Sequence, residues 1–445
     1  MLFLIILSLG SATLVVTAAL LWRYPVQVSA SVVVLVGIVD CLQLWTSGIT
    51  LGVFVYPNDI ACATLLAAGA IVTVRNGSVS REFCWGALLL FGLTIIDFLR
   101  GAITYGIKPA GNQARNIAYL LVPIVAFTAM QVNRRVSLSR ITLWLCGVSW
   151  VFVAVAVFRW LGVLPTPEDV VASDAIRDVV RVVPADGAMI IGQALIAVLA
   201  MQMDRGIRTA GILTASCFVA ILVALQHRSV WTATSVGILW LVFRSWRYAG
   251  PEWKRLAAIA LGAAFIAFLL LIATGQSGKV VSLGKLNMDE TQRDDSTWAW
   301  RVSGFSEAIE RSFSTGVVDA AIGPPAGRDL EDVAGEASVH IHNRYVYMLA
   351  YYGITGLAVF GGWFWVFAAR LRSCGTIARD RHEGVIEAVL LEALLISELM
   401  YFIAYSGGLL HGAILGVLWL AAATKDEEYK QETIHSSESL VVLSS

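Results

Sequence analysis

Residues 211–243 read GILTASCFVAILVALQHRSVWTATSVGILWLVF. Two apolar runs, 211–226 and 230–243, are parted by one polar break, Gln226-His227-Arg228-Ser229. A bilayer-spanning helix needs about 20 mostly apolar residues, so this nearly continuous segment predicts two spans that meet at a polar turn. The same texture extends over most of the 445 residues: 58% are hydrophobic and only 14% charged, where soluble domains carry about 25% charge. Mean hydropathy is +0.74. Too little charge is available to cover a soluble globule of 48.1 kDa. The expected fold class is therefore an all-α polytopic membrane protein. A soluble enzyme, a disulfide scaffold and a disordered regulator are excluded.

Further apolar segments lie at 2–22, 28–45, 58–74, 84–99, 116–131, 140–163, 188–203, 256–274, 345–370, 384–404 and 407–424. Together they predict about 12 to 13 transmembrane helices. The first span lacks a basic leader and a small-residue cleavage site, so it reads as a retained helix. Arg75 and Arg81, Arg134 to Arg140, Arg205 and Arg208, Arg244 to Arg255, and Arg370 to Arg381 fall at alternate connections, which places those connections in the cytoplasm. The connections 46–57, 100–115, 165–187, 227–229, 275–341 and the turn at Ser406 then face outward. The 100–115 connection fits this rule poorly, because it carries Arg100, Lys108 and Arg115. The expected organisation is a membrane domain over 1–424, with a long outward loop at 275–341, and a disordered cytoplasmic tail from 425 to 445. Localisation to a bacterial inner membrane, with the working face towards the periplasm, goes with this topology.

Connections longer than about 15 residues are usually functional or disordered. In the 275–341 loop, Trp298, Val302, Phe305, Ile309 and Phe313 recur at three- and four-residue spacing among polar residues. That pattern predicts an amphipathic helix at the outer interface. No internal repeat is visible, which gives an inverted-repeat transporter no support. Basic and acidic residues balance at 32 each, against a nucleic-acid partner. The six cysteines form no CxxC pair and read as small buried hydrophobes, with Cys374 in a basic loop.

Polar residues at membrane depth or at its edge are costly and therefore candidates for function. Arg228 in the 226–229 break presents a fork of donors suited to phosphate oxygens, or else it snorkels to lipid headgroups. Arg301 stands in Trp298-Ala299-Trp300-Arg301; alone, an Arg on an interfacial helix is usually just solvated. The sharpest pattern is SVHIHNRYVYMLAYYGITG at 338–356, where His342-Asn343 is followed by nine residues, Gly353, two residues and Gly356. With 38 glycines and 6 histidines in the chain, roughly half a per cent of such chains would match by chance. The bland alternative is a helix-orienting His with glycines for close packing. Asp289, Glu290, Asp294 and Asp295 form an acidic run that reads as a solvated loop; no His or Cys stands among them at ligand spacing, so no metal is expected.

These segments together resemble the O-antigen ligase and polymerase family (Wzy and WaaL type). Three features match in order: Gln226-His227-Arg228-Ser229 between two helices, Arg301 opening an outward amphipathic helix that runs to Gly323-Pro324, and the His342 element closing the loop. The resemblance covers roughly 185–370. It implies transfer of an oligosaccharide from undecaprenyl pyrophosphate to a glycan or lipid A-core acceptor hydroxyl, by single displacement with inversion and without cofactor or metal. Arg228 and Arg301 would clamp the pyrophosphate, with Arg344 assisting. His342 would act as general base, with Asn343 and Gln226 supporting and His340 more remote. Positive-inside counting, which uses none of these motifs, puts Arg228, Arg301 and His342 on one side. The partners implied are the lipid-linked donor, the acceptor, membrane lipids, and a chain-length regulator or flippase. Polymerase and ligase share these motifs and stay open. The alternatives are a lipid-linked oligosaccharide flippase or other transporter, and a non-catalytic scaffold.

Overall fold

A computed structural model describes residues 19–20, 22–41, 49–50, 54–77, 84–130, 138–164, 182–225, 227–248, 250–251, 254, 305–306, 309–310, 313, 316–327, 343–381 and 384–423. The described residues form helices α1 (Pro25–Cys41), α2 (Pro57–Asn76), α3 (Trp85–Thr104), α4 (Ile107–Ala129), α5 (Leu138–Trp160), α6 (Ala185–Arg205), α7 (Thr209–Leu225), α8 (Arg228–Ser245), α9 (Val317–Ile322), α10 (Arg344–Arg381), α11 (Val385–Tyr401) and α12 (Leu409–Ala423). A two-residue antiparallel pair, β1 (Ile49–Thr50) with β2 (Phe54–Val55), is a minor addition to an all-α fold. Five helices, α2, α3, α5, α6 and α10, are long and apolar enough to cross a membrane, and α1, α7 and α12 are shorter apolar helices. The chain is a multi-pass membrane protein.

The helices begin and end where local chemistry directs. Pro57 opens α2, where its missing N–H costs nothing, and the Asp59 carboxylate accepts from the Tyr56 N–H at 2.9 Å. Gly77 ends it in the left-handed conformation. The 211–243 segment does break into two helices. His227 stands at the N-cap of α8, and Trp231 Nε1 donates to Leu222 O at 2.7 Å, tying the turn to α7.

Burial divides the bundle into a centre and a rim. Nearly every residue of α6, α11 and α12 is buried, and the second half of α4 joins them. The other helices keep one apolar face outward, as Leu35, Ile103, Leu143, Leu239, Phe243 and Trp365 show. In water such faces would drive aggregation; in lipid they are the expected solvent contact. α6 packs on α5, α7, α8 and α11, while α10 packs on α3, α9 and α11. At the end where α8 finishes and α11 starts, Glu392 accepts from Trp240 Nε1 at 3.0 Å and from Arg244 Nε and Nη2 at 3.2 Å each.

Three sequence expectations change. The 100–115 connection shrinks to Tyr105-Gly106, because α3 and α4 run on through most of it. Its basic residues are engaged: Arg100 pairs with Asp319 at 3.0 Å and Arg115 with Asp59 at 3.1 Å. Their exception to the positive-inside rule thus has a local cause, since paired charges are held by protein. Cys374 lies buried within α10, with its Sγ 3.2 Å from Ala422 O, and not in a loop. The span expected at 345–370 is longer and is two helices merged across a kink at Gly353. The segment 256–274, almost all of 2–22, and the tail from 425 lie outside the described residues.

Gly353 has φ 63° and ψ −166°, a region open essentially only to glycine. The kink receives the end of α9, and a Cβ on Gly353 would stand 2.6 Å from the Ala321 carbonyl carbon. Gly353→Ala therefore meets backbone strain and a backbone clash at once. It is expected to lower stability by about 1–3 kcal/mol, read as a lower melting midpoint in detergent. A melt unchanged from wild type would remove this account of the second glycine-bearing half of the motif.

Candidate functional site

Of the sequence candidates, Arg228, Asn343 and Arg344 are described, and they stand at helix starts. Arg228 is the first residue of α8 and is exposed there. The preceding His227 is buried, and its Nε2 lies 2.8 Å from Val183 O, at the start of α6. The start of a helix presents backbone N–H groups along its axis, and α8 sets the Arg228 guanidinium beside them, a combination suited to an anion. Asn343 caps α10: its Oδ1 accepts from the N–H groups of Tyr345 at 2.9 Å and Val346 at 3.1 Å. His342, His340, Gln226 and Arg301 themselves lie outside the described residues, as does the acidic run at 289–295.

Arg344 is fully buried. Its Nε donates to Ser406 O at 2.5 Å, and its Nη2 to Gly407 O at 3.0 Å and Asn116 O at 3.4 Å. The guanidinium lies over the Tyr347 ring at 5.1 Å, and its main-chain N–H reaches Phe402 O at 2.9 Å. Most of its fork is thus committed to backbone carbonyls of the turn between α11 and α12. Nη1 has no hydrogen-bond partner among the described residues.

A strap closes the far side of the same end. Residues 323–327 follow α9 and are pinned on three sides. Arg100 Nη1 donates to Gly323 O at 2.8 Å, the Ala326 N–H to Asp97 O at 3.3 Å, and the Gly327 N–H to Gln113 Oε1 at 2.6 Å. Gly101 allows this approach, because a Cβ there would sit 1.9 Å from Ala326 O. Gln113 O in turn accepts from the Tyr347 hydroxyl at 3.2 Å. The Gly323-Pro324 turn, noted in the sequence as the end of the amphipathic loop helix, is therefore part of the floor beside α10. Of that loop helix, Phe305, Ser306, Ile309, Glu310 and Phe313 are described and helical; Phe305 and Ile309 are half-buried while Ser306 and Glu310 face outward.

Sequence reasoning missed the polar network behind this end. Asp186 in the first turn of α6 accepts from the Tyr401 hydroxyl. His411 in α12 stacks on the Tyr401 ring at 4.8 Å, and its Nδ1 lies 2.9 Å from Glu398 Oε2. Gln193 Nε2 donates to Glu398 Oε1 at 2.5 Å. Glu398 and His411 are completely buried, in spans the sequence had already marked. The signal was present, since any ionisable residue inside an apolar span marks a candidate.

Residues 213–361 match a family model described as O-antigen ligase. The matched stretch runs from α7 through α8, the long loop and the strap into α10, and so contains Arg228, Arg301, His342, Asn343 and Arg344. Among curated proteins, nothing matches.

Proposed function

We propose that this chain, which carries an O-antigen ligase domain at residues 213–361, is a transferase of surface-polysaccharide biosynthesis. It moves or polymerises oligosaccharide repeat units held on undecaprenyl pyrophosphate, at the outer face of the bacterial inner membrane. The observation that supports this reading is that two helix starts are linked through the start of α6 and the 402–407 turn. α8 opens with Arg228 and α10 opens behind His342 and Asn343. His227 ties the first to Val183, and Arg344 ties the second to the 402–407 turn. The turn and the start of α6 are joined through Tyr401 and Asp186.

The chemistry follows from the charges. A diphosphate leaving group needs cationic donors as the C1–O bond breaks, and Arg228 with Arg301 supplies forks for it. Arg344 contributes Nη1 while the rest of its guanidinium holds the turn. An acceptor hydroxyl needs a base near neutral pH, which is the role of His342. Asn343, its oxygen spent on the cap, retains an amide that can orient a hydroxyl. Direct attack by the acceptor inverts C1, and neither metal nor cofactor enters the scheme.

The test is the glycan profile of a strain lacking this protein, resolved by size and by carrier. Single repeat units on the usual acceptor mean a polymerase. Long chains stranded on undecaprenyl pyrophosphate, with a bare acceptor, mean a ligase. Repeat units trapped on the cytoplasmic leaflet mean a flippase and overturn the proposal.

A further inference from the structure

α4 is divided in its chemistry. From Ile117 onwards it is largely buried and apolar, whereas the stretch before it carries Lys108, Asn112, Gln113, Arg115 and Asn116. Most of these residues fall in what the sequence predicts as an outward connection. The structure makes them a rigid length of helix, about 15 Å at 1.5 Å per residue. Asn112 and Asn116, four apart and so on one face, are exposed. Carboxamides are costly against hydrocarbon, so this face borders water or a polar ligand.

Other elements stand on both sides of this face. On the α2 side, Arg115 Nε pairs with Asp59 Oδ1 at 3.1 Å, and the Tyr119 hydroxyl donates to the same oxygen at 2.9 Å. The Arg115 guanidinium lies over the half-buried Tyr56 ring at 5.1 Å. On the α10 side, the Tyr347 hydroxyl donates to Gln113 O at 3.2 Å and interacts with the Asn116 carboxamide, and Arg344 Nη2 reaches Asn116 O at 3.4 Å. The strap joins this side through the Gly327 N–H, which donates to Gln113 Oε1 at 2.6 Å. Asn112 and Asn116 thus form an exposed strip between α2 and the pair made by α10 and the strap, and the strip ends at Arg344.

We infer that this strip is a glycan subsite, which holds the sugar chain of a substrate beside Arg344. The inference rests on the proposed transferase reading. Charge on the strip favours neutral hydroxyls over anions. Arg115 pairs with Asp59, and Arg100, beside the strap, pairs with Asp319. Lys108 stands one turn further out, at the exposed rim. A diphosphate calls for net positive charge, which paired groups do not supply. What the strip offers instead is amide. Asn112 Oδ1 accepts from Arg115 Nη1 at 2.8 Å, which leaves its NH₂ for a ligand. Gln113 Nε2 has no hydrogen-bond partner among the described residues, and neither has Arg344 Nη1 at the inner end. A sugar hydroxyl accepts and donates at once, so neighbouring hydroxyls match a row of amides. Tyr56 adds aromatic surface beside them, as small-molecule sites commonly do. All of these residues except Arg344 lie outside the 213–361 stretch that carries the motifs.

The test uses the full-length protein in detergent and the repeat-unit oligosaccharide of the host strain, released from its carrier by mild acid. Saturation-transfer NMR reads binding without turnover. Asn112→Ala combined with Asn116→Ala trims two exposed side chains and keeps the main-chain carbonyl that Arg344 uses. Alanine is the better helix former at both positions, so the melting midpoint should hold. The double variant is expected to bind the glycan about fivefold more weakly or worse, for the loss of two amide partners. Asn112→Ala alone should act in the same direction, and it decides if the double variant does not fold. In proteoliposomes, with polyprenyl-diphosphate-linked oligosaccharide from the same strain as donor, KM should rise with kcat unchanged. A rise for the donor or for the acceptor tells which glycan lies on the strip. A glycan that does not bind wild-type protein, or binds a folded variant as tightly, overturns the subsite even where transfer proceeds. So does an unchanged KM for both substrates. Wild-type protein that transfers nothing overturns the transferase reading, and the binding measurement then decides the subsite by itself.

Discussion

Arg344→Ala is expected to destabilise the folded chain by about 3 kcal/mol or more, so that product falls because folded protein falls. The guanidinium is fully buried and donates to the carbonyls of Ser406, Gly407 and Asn116. Removing it leaves buried acceptors without donors, at about 1–3 kcal/mol each, and opens a cavity beside Tyr347. The 402–407 turn would then lose most of its grip on the start of α10, beside the Asn343 cap. Arg344→Lys should rescue little, because one ammonium cannot span carbonyls that a planar fork reaches from two nitrogens. The measurement is a melting midpoint in detergent beside the amount of chain in the membrane fraction. An Arg344→Ala protein as stable as wild type but without product would instead assign the side chain wholly to the phosphate.

What the sequence could reveal depended on the period and the range of each signal. Spans such as 138–160 and 185–205 were legible because lipid demands uninterrupted apolarity, which is a local property. The split at His227 was legible because four polar residues in a row cannot stay in hydrocarbon. Helix ends were less so. The extension of α3 and α4 around Tyr105 depends on Arg100 meeting Asp319 and Arg115 meeting Asp59, and no local window contains both partners. The kink at Gly353 was hidden for a similar reason: the sequence shows a glycine, while its positive φ is set by the docking of α9 far upstream. The convergence of Arg228 and Asn343 could be expected as a common side of the membrane, but the link through Val183 and the 402–407 turn needed coordinates. The buried pair Glu398 and His411 forms the opposite case. Both lie inside apolar runs, where an ionisable side chain is itself a signal in the sequence.

His342→Ala and Arg228→Ala should lose activity without losing stability, in contrast to Arg344→Ala. Arg228 is exposed at the start of α8, where trimming a side chain opens no cavity, whereas Arg344 is fully buried. His342 precedes the cap at Asn343, and the cap bonds to Tyr345 and Val346 do not involve it. Loss of a general base costs about 10²–10⁴-fold, expected in kcat with the donor KM little changed. Loss of one charge-assisted fork to a diphosphate removes about 1.5–3 kcal/mol. That loss should fall on both the donor KM and kcat, because the charge it meets is present in the ground state and grows as the bond breaks. Measured in the same proteoliposomes, the two variants should therefore differ in kind. A carrier that only moves lipid-linked oligosaccharide across the bilayer predicts near-wild-type behaviour for His342→Ala, since no hydroxyl is deprotonated. Retention of full product by His342→Ala with an unaltered melt would thus sink the catalytic reading of this end of the bundle, while a kcat lost at constant KM and constant stability would leave a transferase as the reading that accounts for all three side chains.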